Sequence, residues 1–139
     1  MEFRTLFAAI IVAAALVSGN PARAQQSAFE SIISRQIEAF RAGDGATAFS
    51  FASPSLQRLF QTPDNFIAMV KRGYMAVYAP RRFNFPGTET DPQGRPVQLV
   101  EVIDGDGRVW TARYTFEQQP DGSWRIAAVT LEKAPGADV

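Results

Sequence analysis

The chain has 139 residues, with 14 Lys and Arg against 14 Asp and Glu, and it contains neither histidine nor cysteine. That charge balance leaves no electrostatic footprint for a nucleic acid. The missing residue types exclude Ser-His-Asp and Cys-His catalysis, zinc sites built on His or Cys, and disulfide staples, so any chemistry falls to Asp, Glu, Tyr, Lys or Arg.

Residues 1–24 read as a cleavable export signal. Arg4 supplies the positive start, Leu6 to Val17 the apolar stretch, and Ala22-Arg23-Ala24 a small-x-small cleavage site. The apolar stretch is shorter than an ordinary membrane-spanning helix requires, and a lipid anchor would need a cysteine. The expected product is a periplasmic or secreted domain that begins after Ala24, spans residues 25–133 and has no membrane span. A disordered tail, 134–139, follows it.

The first half of that domain predicts helices. Ser27 and Glu30 form a capping-box pair, and Phe29, Ile32, Ile33, Ile37 and Phe40 recur at helical spacing on one face. Gly43 ends this helix and Asp44 caps the next. The string G-D-G-A-T-A at 43–48 matches a loose dinucleotide pattern, but it follows a helix where that motif needs a strand. Ser53-Pro54 starts a short helix through Leu56, Leu59 and Phe60. Thr62-Pro63-Asp64 starts another, with a capping threonine, a proline at the first helical position and an acid on the helix dipole. Its apolar stripe is Phe66, Ile67, Met69 and Val70, and Gly73 ends it. Tyr74 to Pro86 reads as an aromatic loop and an edge strand at Arg81 to Phe85, and Gly87 to Gly94 as a polar loop.

The second half predicts strands. Val97 to Ile103, Arg108 to Gln119 and Ser123 to Lys133 are runs of β-branched and aromatic residues separated by Asp-Gly turns. Three-residue loops at Gly105-Asp106-Gly107 and Pro120-Asp121-Gly122 place Asp104 opposite Arg108 and Gln119 opposite Ser123. Trp110, Ala112, Tyr114 and Phe116 then share a face with Trp124, Ile126, Ala128, Thr130, Val100 and Val102. The other face carries Leu99, Arg113, Val129 and Leu131, with Glu117 across from Arg125 as a cross-strand ion pair. This second face is too apolar for comfortable exposure, which marks those four residues as candidates for a partner or a second copy.

Helices followed by a curved antiparallel sheet of about four strands make an α+β domain. The order resembles the nuclear transport factor 2-like superfamily, a cystatin-like cone. The strings F-R-A-G-D at 40–44, F-I-A-M-V-K-R-G-Y at 66–74 and D-G-S-W-R-I at 121–126 resemble the exported bacterial domain-of-unknown-function family DUF4864 over roughly Ile33 to Lys133. That resemblance implies the fold and export, and brings no established activity. The superfamily implies an apolar cavity between helices and sheet, for which Phe40, Tyr74, Tyr78, Trp110, Tyr114, Phe116 and Trp124 are the candidates, and dimerisation through the outer sheet face.

No catalytic constellation and no metal or cofactor motif is evident. The Asp-Gly-Asp-Gly turn lacks the glycine and the bidentate glutamate of a calcium loop. The expected function is a noncatalytic domain that binds a small apolar ligand or a protein partner. Two alternatives are an acid-base isomerase or lyase of the ketosteroid-isomerase type, with Asp44 as its best placed acid, and a structural homodimer or assembly module that uses the outer sheet face.

Overall fold

A computed structural model describes residues 20–135. The expected signal segment lies outside the described residues up to position 19, as does the expected tail from position 136. Five helices precede four strands: α1 Pro21–Arg41, α2 Gly45–Ser50, α3 Pro54–Phe60, α4 Pro63–Gly73, α5 Met75–Tyr78, β1 Arg82–Thr90, β2 Pro96–Ile103, β3 Val109–Gln118 and β4 Trp124–Lys133. The strands form one antiparallel meander in the order β1-β2-β3-β4, and the helices cover one of its faces. The α+β reading therefore holds.

Local chemistry starts three helices where the sequence predicts. The side chains of Asp44, Ser53 and Thr62 accept from the backbone N–H groups of Thr47, Leu56 and Asn65, each satisfying one orphan donor of a first turn. α1 differs. It begins at Pro21, with the Asn20 side chain accepting from the Ala22 N–H, so Ser27 lies inside the helix rather than at its cap. Proline at the first helical position lets the helix extend past the internal capping box. Met75 to Tyr78, expected as loop, closes one extra turn as α5.

The core sits between α1 and the sheet. Phe29, Ile33 and Ile37 pack on Val100, Val102, Ala112, Tyr114, Phe116 and Ile126. The Phe29 and Phe116 rings stack with centroids 4.1 Å apart, and Trp124 meets Phe29 edge-on at 5.0 Å. A second cluster joins the helices to one another through Phe40, Phe49, Phe66 and Val70.

Both three-residue loops form as predicted. The Gln119 N–H donates to the Ser123 carbonyl at 2.7 Å and the Asp104 N–H to the Arg108 carbonyl at 2.9 Å. Gly122 and Gly107 take φ of 86° and 80°, the left-handed conformation such loops demand. Trp110, Ala112 and Tyr114 accordingly share the inner face with Val100 and Val102.

Two bulges correct the rest of the predicted register. In β4, Phe116 pairs with Ile126 but Thr115 pairs with Ala128, so Ala127 is an extra residue. From there the alternation reverses. Tyr114 stands opposite Val129 and Ala112 opposite Leu131, and both aliphatic side chains pack against the core. Val129 and Leu131 thus leave the predicted partner face for the inner face, while Ala128 and Thr130 move outward. Leu99 and Arg113 stay outside. In β1, the register shifts between Asn84 and Gly87, which places Phe85 and Pro86 at a bulge. An edge strand tolerates proline there, so the strand continues to Thr90 where a loop is expected from Gly87. Bulges bend and twist the strand that carries them, and both lie on the outermost strands of this curved sheet.

The predicted Glu117–Arg125 pair stands in register, yet the Arg125 guanidinium donates to the Ser50 carbonyl instead. On the outer face it is Arg113 that pairs, with Glu89 at 3.3 Å and Glu132 at 3.1 Å.

Candidate functional site

The segment joining α2 to α3 pins β4. The Ser53 N–H donates to the Ile126 carbonyl and the Ile126 N–H donates to the Phe51 carbonyl, each at 2.8 Å, so Ile126 is held from the side away from β3. The extra residue at Ala127 follows directly on Ile126 in β4. A cavity of about 260 Å³ opens there, between the β4 bulge, Tyr114 of β3, Gln36 and Phe40 of α1, Leu56 and Phe60 of α3, and the inward stripe of α4. Its wall is apolar apart from Gln36, Tyr74, Tyr114 and backbone. α3 is the weakest part of the wall. It contributes no fully buried side chain, and its own Leu59 is 70% exposed.

Three of the seven predicted cavity residues, Phe40, Tyr74 and Tyr114, line this space. The other four do not. Phe116 and Trp124 fill the core around Phe29. Trp110 sits toward the far end of β3, where its indole Nε1 donates to Asp104 at 2.9 Å. Tyr78 packs on Phe40 with centroids 5.3 Å apart, under Lys71, and lines a separate groove with Asp44 and Asp64. Sequence reasoning missed Gln36, whose signal was available: it is a polar residue among Ile33, Ile37 and Phe40 on a buried helix face.

Of the three polar side chains that belong to the wall, Tyr74 is half-buried and Gln36 and Tyr114 are buried. Gln36 is buried and donates its Nε2 to the Ala48 carbonyl at 3.1 Å. Tyr114 is 1% exposed, and its hydroxyl oxygen has almost no accessible surface and no hydrogen-bond partner among the described residues. Burial pushes the Tyr114 phenol well above its usual range, so it stays neutral. Among the described residues, no Asp, Glu, Lys or Arg lines the space.

Asp44 is not part of this site. Its carboxylate is spent on the Thr47 N–H at 3.1 Å and the Thr47 hydroxyl at 2.6 Å, and these bonds, the hydroxyl first, hold it below the ordinary carboxylate range. Asp104 is lowered chiefly by the Trp110 indole, and Asp121 by the Ser123 hydroxyl. Groups depressed in the folded state contribute stability that is fully present above their unfolded values, near pH 4, and lost as pH falls through the folded ones. With no histidine to titrate, the melting temperature should be flat between about pH 5 and 8 and fall below about pH 4. A calorimetric step near pH 6.5 would contradict this.

Among the described residues no group of His, Cys, Asp and Glu is placed to hold a metal ion, and no helix is long and apolar enough to cross a membrane.

No curated protein matches the chain. A solved structure from Catenulispora acidiphila is similar in fold, with a TM-score of 0.51 at 16% identity, over 81% of this chain and 93% of that one. Residues 22–139 match a family described as Domain of unknown function (DUF4864), which covers the helices, the sheet and the cavity between them, and the chain belongs to that family.

Proposed function

We propose that this domain is a noncatalytic binding module which holds a small apolar ligand in the cavity between α3, α4 and the β4 bulge. The observation that carries this reading is the cavity itself: about 260 Å³ of apolar-walled space between helices and sheet. Apolar concavities with a few polar groups are the usual form of small-molecule sites. By proportion with a cavity of ~150 Å³ that holds benzene, it suits a molecule of about ten non-hydrogen atoms.

The alternatives have less support. An acid-base enzyme would need a carboxylate in the cavity, and Asp44 is committed to its helix cap. An assembly through the outer sheet face loses Val129 and Leu131, and the charge of Arg113 is already met by Glu89 and Glu132.

The same proposal includes export, with cleavage after Ala24, and membership of the nuclear transport factor 2-like superfamily. The helices-then-curved-sheet order supports the second. Cleavage there would remove the Asn20 cap and leave Ser27 and Glu30 to start α1 as a capping box.

Native mass spectrometry of the protein purified from the exported fraction, without detergent, tests both parts. The denatured mass should correspond to a chain starting at Gln25, and the native mass should exceed it by a component that disappears on denaturation. A full-length mass would rule out cleavage. A bare native mass, together with no thermal shift across a panel of small hydrocarbons and alcohols, would rule out the ligand.

A further inference from the structure

α3 is fastened differently at its two ends. At its start the Ser53 N–H bonds the Ile126 carbonyl of β4, the Ser53 hydroxyl caps the first turn at Leu56, and the Gln57 amide nitrogen donates to the Phe49 and Ala52 carbonyls at 3.3 and 3.1 Å. At its far end the Phe60 carbonyl accepts from the Thr62 N–H at 2.8 Å and from the Asn65 side chain at 2.9 Å. The first of these two bonds closes a tight turn centred on Gln61, at φ 70° and ψ −44°. That is the rare form of γ-turn which an L-residue adopts only under strain, and among the described residues no other non-glycine has a positive φ. Strain of this kind persists only where the surroundings hold it, and it gathers at ligand clamps and switch regions. Between the two ends, Leu56 and Phe60 share one helix face and both line the cavity, whereas Leu59 is 70% exposed. The Gln61 side chain is exposed and does not line the cavity.

We propose that α3 is the lid of the cavity, hinged at Ser53 and latched by the strained turn at Gln61, so that release of the turn lifts the Phe60 end and admits the ligand. The proposal rests on the reading that the cavity binds a small molecule. In the closed lid Gln61 is held at positive φ, and in the open lid it relaxes. Strain therefore favours opening, against the two bonds to the Phe60 carbonyl and the burial of Leu56 and Phe60 on the wall. A change at Gln61 alters how often the lid opens without touching what the cavity holds.

Gln61→Gly, the parent and Gln61→Val form a graded series, because glycine takes a positive φ freely and a β-branched residue resists it. With naphthalene as the probe and its exchange followed by NMR, Gln61→Gly should slow both association and dissociation about fivefold, and Gln61→Val should speed both by about the same factor. The Kd should stay within about twofold across the series, because the turn carries the same strain in the closed free and closed bound states. Rates that do not change across the series would overturn the lid, and so would a Kd that changes in place of the rates. If naphthalene does not bind the parent protein, the ligand reading falls, and native-state hydrogen exchange decides the opening of α3 by itself. The Leu59, Phe60 and Gln61 amides should then exchange together, at least about tenfold faster than those of Ile33 and Ile37 in α1. Exchange at the rate of α1 would show that α3 does not open as a unit and would overturn the lid.

Discussion

Phe116→Ala is expected to lower stability by about 3 to 5 kcal/mol, the range for truncating a fully buried aromatic ring. Phe116 is 0% exposed and lies flat against Phe29 of α1, with Trp124 edge-on to the same Phe29 ring. These rings fasten the helical layer to the sheet. Removing the Phe116 ring leaves a void beside Phe29 that Phe29 cannot fill without abandoning its packing, because α1 is also held by Ile33 and Ile37. Chemical denaturation monitored by tryptophan fluorescence measures the loss. A change below about 1 kcal/mol would show that the ring is not the fastening described.

Val129→Glu and Leu131→Glu should each cost about 2 to 3 kcal/mol, while Leu99→Glu should cost about 1 kcal/mol or less. The comparison tests the bulge at Ala127. Without it, all three residues would lie on the outer face and the substitutions would behave alike. With it, Val129 borders the cavity and Leu131 packs beside Ala112 on the core side, where a carboxylate loses its hydration and finds no partner. Leu99 stays on the outer face, opposite Arg113, where a carboxylate keeps much of its hydration. Equal unfolding free energies for the three variants would refute the inward placement. Loss of self-association without loss of stability would restore the outer-face reading for Val129 and Leu131.

The contrast between Gly122 and Ala127 shows which features the sequence could reveal. The turn at Pro120-Asp121-Gly122 is written in residues with strong individual preferences, and its register follows from them. The caps at Asp44, Ser53 and Thr62 are equally local. Ala127 and Ala128 have no such preference. Both are small enough for either face of a sheet, so a period-two reading passes through them without registering an inserted residue. The four residues that change face beyond the bulge, Ala128 to Leu131, are therefore those the sequence misassigns. The cavity shared this fate: Phe40, Tyr74 and Tyr114 were recognisable as inward aromatics, but aromatic character alone could not separate them from Phe116 and Trp124, which fill space completely.

The sequence by itself determined the helices-then-sheet order, the three internal caps, both hairpin loops, the family resemblance and the exclusion of histidine and cysteine chemistry. All of these depend on residue type or short spacing. Only the tertiary structure decided where β4 reverses its faces and where space is left unfilled. The physical reason is that Ile126 is pinned by the Phe51–Ser53 backbone, more than seventy positions earlier in the chain, and no local pattern encodes a hydrogen bond over that distance.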